Sequence, residues 1–168
     1  IMLKTMMNES ETGFYSAAMT CVGITGFVFS AIIDSARPYV LEGKDQSDDV
    51  FEKRLSTLFS IIIFISLLQA IFMGLLASPL IQILFGKDYA PAANVLQIAV
   101  WYIAFGYMGS VRNIWILAEE KQKYLPMINF LGASLNVVAN LVLIPILGAC
   151  GAAIASFAYL PREFQYSS

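Results

Sequence analysis

The sequence predicts an all-α membrane protein, a polytopic transmembrane helix bundle of about five spans, and three observations carry that expectation. Hydrophobic residues fill 58% of the 168 positions, charged residues only 13%, and mean hydropathy is +0.71; soluble domains sit nearer one quarter charged. The stretches 14–33, 55–85, 89–111 and 124–161 contain no Asp, Glu, Lys or Arg. Lysines and arginines, finally, concentrate in alternate connecting segments.

Taken in order, 14–33 is a minimal span, because about 20 apolar residues at helical rise cross a hydrocarbon core about 30 Å thick. Residues 34–54 are polar and are expected to form a cytoplasmic loop. The stretch 55–85 exceeds one crossing, and Pro79 places the end of the second span near Ser78, with a short amphipathic piece following at the interface. The third span is 92–111 and the second cytoplasmic loop is 112–123. The last charge-free stretch is long enough to divide in two. Its Ile144-Pro145-Ile146-Leu147-Gly148 run reads as a tight connection, leaving spans at 124–144 and 149–160. The second of these is incomplete, since 149–160 reaches only about 18 Å.

Orientation follows from the cations. Arg37, Lys44, Lys53, Arg54, Arg112, Lys121, Lys123 and Arg162 fall in one set of alternate segments, Lys4 and Lys87 in the other. Short loops rich in Lys and Arg stay in the cytoplasm. This places 1–13, 86–91 and 145–150 outside and the C-terminus inside, in a multi-pass protein of the inner (plasma) membrane. Because an external start with no preceding span or signal peptide is unusual, the chain reads as a fragment whose upstream spans are missing.

Polar residues inside spans are where function is expected, because hydrocarbon penalises them unless they face a helix or a watery cavity. Asn129, Asn136 and Asn140, spaced seven and four apart, share one helical stripe. They could line a polar path or bond neighbouring helices; Gly132 and Ala133 nearby favour helix packing. At the cytoplasmic ends, Arg37 and Arg112, the latter beside Asn113, carry the planar fork that binds phosphate bidentately, or else they anchor helix ends as such arginines ordinarily do. Asp34 three residues before Arg37 suits an intrahelical ion pair. The acidic run Glu42–Glu52 reads as a solvated connector.

Several classes are disfavoured. Net charge is −2 with no basic run, which gives nucleic acid no electrostatic footprint. There is no histidine, no phosphate-binding glycine loop and no nucleophile elbow, so no enzyme, metal site or cofactor is expected. Cys21 and Cys150 lack CxxC spacing and read as packing residues.

The runs Gly13-Phe14-Tyr15-Ser16-Ala17-Ala18, Ala36-Arg37-Pro38 and Leu84-Phe85-Gly86-Lys87-Asp88-Tyr89-Ala90-Pro91-Ala92-Ala93-Asn94-Val95-Leu96 come first. Ala118-Glu119-Glu120-Lys121-Gln122-Lys123, then Asn136 and Asn140, then Leu143-Ile144-Pro145, Gly148 and Gly151-Ala152-Ala153 follow in order. Together they resemble the oligosaccharide flippases of the polysaccharide biosynthesis exporter family, within the multidrug/oligosaccharidyl-lipid/polysaccharide superfamily. The Phe-Gly-x-x-Tyr-x-x-Ala block is the most specific part.

The resemblance implies a protein of about twelve helices in two bundles, of which this chain is the later part, its spans matching the eighth through twelfth. It implies translocation of undecaprenyl-diphosphate-linked sugar repeat units for surface polysaccharide (O-antigen, capsule) by alternating access. The implied partners are the lipid bilayer, the lipid-linked oligosaccharide, an N-terminal helical bundle, and a polysaccharide polymerase with its glycosyltransferases. An ion-coupled multidrug or metabolite antiporter of the same superfamily would need a coupling carboxylate that no span supplies, and a non-transporting membrane assembly subunit is the third alternative. After Ala158 the chain departs from the family and turns polar, as a truncated or frame-shifted end would.

Overall fold

The first long helix begins where a cap can form. Asn8 accepts a hydrogen bond from the Glu11 amide through its side chain at 3.0 Å, satisfying one of the otherwise unpaired first-turn donors. Glu9 and Glu11 add the negative charge that a helix N-terminus favours. In the computed structural model, which describes residues 5, 6 and 8–157, this helix, α1, runs Glu9–Gln46. It is followed by α2 (Asp48–Leu75), α3 (Ala77–Phe85), a 3-10 turn (Lys87–Tyr89), α4 (Ala92–Ala118), a second 3-10 turn (Gln122–Tyr124) and α5 (Leu125–Ser156). The described residues contain no strand, and the fold is an all-α helical bundle.

The stretch expected as a loop, 34–54, is helical on both sides of Ser47. Ser47 is a single extended residue whose hydroxyl caps α2 by accepting from the Val50 amide at 3.2 Å. Two features carry α1 past Pro38. Val40 and Gly43 are buried, with the Gly43 Cα against the Phe51 backbone, where an added Cβ would sit 3.2 Å from the Phe51 Cα. The surrounding charges also pair along the helices, Arg37 with Asp34 at 2.9 Å and Lys44 with Asp48 at 2.8 Å. At 38 residues, α1 is about 57 Å long, close to twice the hydrocarbon thickness.

Helix α2 stops at Leu75, three residues before the expected Ser78, and α3 starts at once. Pro79 therefore lies in the first turn of α3, where its missing N–H costs no helical hydrogen bond. Gly86, at φ 88°, ends α3 with a conformation that favours glycine.

The reading of a connection at Pro145–Gly148 has a clear geometric counterpart. Two helical limbs meet in α5 at a kink where Gly148 has φ 55° and ψ −130°. The Asn136 side-chain amide donates to the Ala155 carbonyl at 2.8 Å. Nineteen residues along a straight helix would span about 28 Å, so α5 is a hairpin: the limb 149–156 folds back on 125–147. Gly151 sits so close to the Leu143 carbonyl that no Cβ fits there. Among the described residues four helices, α1, α2, α4 and α5 with its preceding turn, are long and apolar enough to cross a membrane. The returning limb of α5 is eight described residues long, about 12 Å; residues 158–168, including Arg162 and the polar tail, lie outside the described residues, as do 1–4.

Contacts between helix ends fix the topology. At one end the Phe14 and Tyr89 rings meet edge to face, 5.9 Å apart, and the Ala149 amide donates to Glu11 at 2.7 Å. At the other, Lys44 bonds Glu119 at 2.6 Å. Helices α1 and α4 are thus parallel, with α2 and the first limb of α5 running the opposite way. The segments 8–13, 86–91 and 145–150 gather at one end, and 44–54 with 119–123 at the other.

Helix α4 occupies the centre and packs on α1, α2, α3 and α5. Small residues make this possible: Ala92, Ala93, Ala99 and Ala104 are buried, and Gly26 on α1 leaves room for the Tyr107 hydroxyl at 3.4 Å from where its Cβ would be. Tyr107 and Phe29 stack with ring centroids 4.0 Å apart. Such close packing, rather than water exclusion, holds helices together in lipid. The outward surface is correspondingly apolar. Phe27 is 79% exposed, Leu75 78%, Ile83 81% and Ile146 72%, a surface that hydrocarbon solvates and water does not.

Candidate functional site

The six residues singled out from sequence occupy three separate places. Asn136 and Asn140 lie inside the α5 hairpin. Besides the bond from Asn136 to Ala155, the Asn140 amide donates to the Asn136 carbonyl at 2.9 Å and to its side-chain oxygen at 3.0 Å. Asn136 ties the two limbs together and Asn140 braces it from the next turn, while Asn129 sits half-buried on the same face, seven residues earlier. Arg37 is engaged by Asp34, both side chains being a little over a third exposed. Arg112 lines a lateral groove between α2 and α4. Asn113, next to it, does not line that groove; it is half-buried with its side-chain oxygen shielded and without a hydrogen-bond partner.

The groove has a volume of about 660 Å³ and is open to the outside of the bundle. Glu52, Ser56 and Phe59 form its α2 wall; Phe105, Met108, Arg112 and Trp115 are on α4. The spacings 52–59 and 105–112 each correspond to about 10 Å of helix, so the walls pass from charged to wholly apolar over roughly that depth. Among the described residues, neither Glu52 nor Arg112 makes an ion pair or hydrogen bond with another side chain. Arg54 offers the contrast. It lines a second groove between α1 and α2, of about 430 Å³, but its guanidinium is committed to the Tyr39 carbonyl at 2.6 Å and to the Tyr39 ring at 4.0 Å.

Three further polar features were not singled out from sequence. Glu11 reaches across from α1 to the reversal in α5. Thr25 accepts from the Gln69 side chain at 2.7 Å, linking α1 to α2 at a depth where few polar partners exist. At the opposite end Lys44 binds both Asp48 and Glu119, and Lys121 approaches Glu119 at 3.8 Å. Hydrogen bonding to Asp48 first, and to Glu119, raises the Lys44 pKa well above its ordinary value, while the Lys44 ammonium holds the Glu119 carboxyl below its own. Glu11 and Glu52 could have been noticed only with the tertiary fold in hand, because the first bonds, and the second shares a groove with, a helix distant in sequence. Among the described residues no group of three or more His, Cys, Asp or Glu is placed to hold a metal ion.

Long apolar helices, an apolar outer surface and polar clusters confined to the two ends and to helix–helix contacts define a multi-pass helical membrane protein. Comparison with protein-family models, with curated proteins and with solved structures returns no match.

Proposed function

We propose that this chain is part of a transporter that moves lipid-linked oligosaccharide repeat units across the plasma membrane for surface polysaccharide synthesis, by alternating access. The supporting observation is spatial. Three of the sequence blocks on which the flippase resemblance rests, 13–18, 84–96 and 143–153, are far apart in the chain, yet they or their immediate neighbours meet at one end of the bundle. Phe14 touches Tyr89, Gly13 lies against the same tyrosine, Glu11 bonds Ala149, and the Tyr15 and Ser156 hydroxyls are 3.5 Å apart. Blocks that fold into one cluster are a unit of architecture, and this supports reading them together.

In this reading the end bearing Ser47 and Lys121 is cytoplasmic, following the cation bias. The barrier to be overcome is the transfer of sugars and a diphosphate through hydrocarbon, where each unpaired polar group costs several kcal/mol (about 2–7). A hydrated path between helices removes most of that cost while the polyprenyl tail stays in lipid. In this proposal Arg37, at the cytoplasmic end of the first span, meets the diphosphate, exchanging its contact with Asp34 for it. The asparagines of α5 serve the hairpin.

The test is genetic. Deleting the gene that encodes this chain should abolish surface polysaccharide and cause lipid-linked repeat units to accumulate in the cytoplasmic leaflet. An Arg37→Ala allele should show the same accumulation in weaker form. If surface glycan is unchanged while resistance to a toxic cation or drug falls, the antiporter reading replaces this one; if neither changes, a non-transporting role does.

A further inference from the structure

We infer that the lateral groove between α2 and α4 binds a bilayer phospholipid with a phosphate and a primary ammonium, that is, a phosphatidylethanolamine, as a seated lipid. The inference needs only membrane insertion and does not rest on the transport reading.

The occupant follows from the groove's surroundings and its chemistry. It opens sideways: Phe59, Phe105 and Trp115, on its walls, are 38%, 44% and 39% exposed, and outside an apolar bundle face the solvent is lipid. Its polarity runs along the helix axes, with Glu52 and Arg112 toward the end where Lys44 meets Glu119, and Phe59 and Phe105 about 10 Å deeper. This is the order of headgroup and acyl chain in a bilayer leaflet. The guanidinium of Arg112 suits a phosphate, which it can hold through two N–H donors. The carboxylate of Glu52 shares the groove and would repel an acidic headgroup, whereas an ethanolamine ammonium completes it. Neither group has a side-chain partner among the described residues, so neither must give up such a bond there, and the Ser56 hydroxyl adds a hydrogen-bonding site to the lining. Lys121, whose ammonium lies 4.2 Å over the outer Trp115 ring, is already drawn toward Glu119 and is not counted as a ligand.

A tryptophan at the apolar end of the groove, at the depth of the acyl chains, supplies the readout. In a Trp101→Phe, Trp115→Phe, Phe105→Trp background, the full chain is reconstituted into phosphatidylcholine vesicles containing increasing fractions of phosphatidylethanolamine or phosphatidylglycerol brominated on the acyl chains. Quenching of the single tryptophan reports occupancy of the groove. The expected result is a preference of about threefold for the ethanolamine lipid over the glycerol lipid, the scale of one ion pair at an interface. Glu52→Gln should abolish that preference while retaining quenching, and Arg112→Gln should weaken both lipids. Equal quenching by the two headgroups in the parent protein, or a preference that survives Glu52→Gln, overturns the inference. So does failure of every brominated lipid to quench, which would mean that protein covers the groove.

Discussion

Replacing Gly148 by alanine should open the α5 hairpin, and its cost can be worked out from two local terms. At φ 55° and ψ −130° the backbone is in a region that a side chain makes unfavourable by about 1–3 kcal/mol. An added Cβ would also sit 2.5 Å from a Glu11 carboxylate oxygen, forcing that side chain away and breaking its bond to the Ala149 amide. A hydrogen bond to a charged group is worth about 1.5–3 kcal/mol, so Gly148→Ala should destabilise the fold by roughly 2.5–6 kcal/mol. Glu11→Ala alone should cost only the second term. With Glu11 already removed, Gly148→Ala should cost only the first, so the two substitutions couple by about 1.5–3 kcal/mol. Equilibrium unfolding of the micelle-solubilised protein, followed by tryptophan fluorescence, measures all four members of this cycle. Additivity to within about 0.5 kcal/mol, or a Gly148→Ala protein as stable as its parent, would refute the account of Glu11 as the group that closes the hairpin.

Asn136→Ala should loosen the same hairpin by about 0.6 kcal/mol, and by no more than about 1.7, the average and the maximum for side-chain hydrogen bonds between membrane helices, in the same unfolding assay. The contact between the far ends of α1 and α4 should depend on pH. The Glu119 pKa is depressed from its ordinary 4.5, so its contribution is present above that value and is lost as pH falls through the lower folded value. The Lys44 pKa is raised, so its contribution is intact below its ordinary 10.5 and is lost only in strong alkali. Spin labels near Lys44 and Glu119 should accordingly separate only on the acid side of the ordinary carboxyl range, and Glu119→Gln should remove that acid transition. In a variant with Cys21 and Cys150 replaced by serine, Ser47→Cys and Lys87→Cys should be labelled by a membrane-impermeant thiol reagent from opposite sides of intact vesicles. Labelling of both from one side would contradict the end-to-end arrangement of α1 and α2.

The class of fold was legible because hydropathy and the placement of charge act residue by residue: a charge-free run such as 92–111 can be recognised without knowing its neighbours. The reversal of α5 lies within the Pro145–Gly148 run for a similar reason, since Gly148 alone there tolerates the required backbone angles. The continuation of α1 through 34–46 was not legible. Pro38 and the charges after it resemble the end of a helix, and what sustains the helix is burial of Val40 and Gly43 against α2, a contact between distant residues. Candidate sites follow the same division. The stripe of Asn136 and Asn140 could be derived from helical period, but its use required knowing that Ala155 folds back beside it. Arg112 stood out by type and position, whereas its groove partner Glu52 looked like one more charge in an acidic connector, because the α2–α4 pairing that unites them is not a local property.

Helix α1 reaches about 22 Å past its stacked contact at Phe29 before Lys44 meets Glu119. A tilt of ten degrees about that contact would sweep the Lys44 end through about 4 Å, more than the length of a hydrogen bond. Burial of Val40 and Gly43 against α2 opposes such a tilt. The bond between the far ends of α1 and α4 therefore depends on how α1 packs against a third helix, α2.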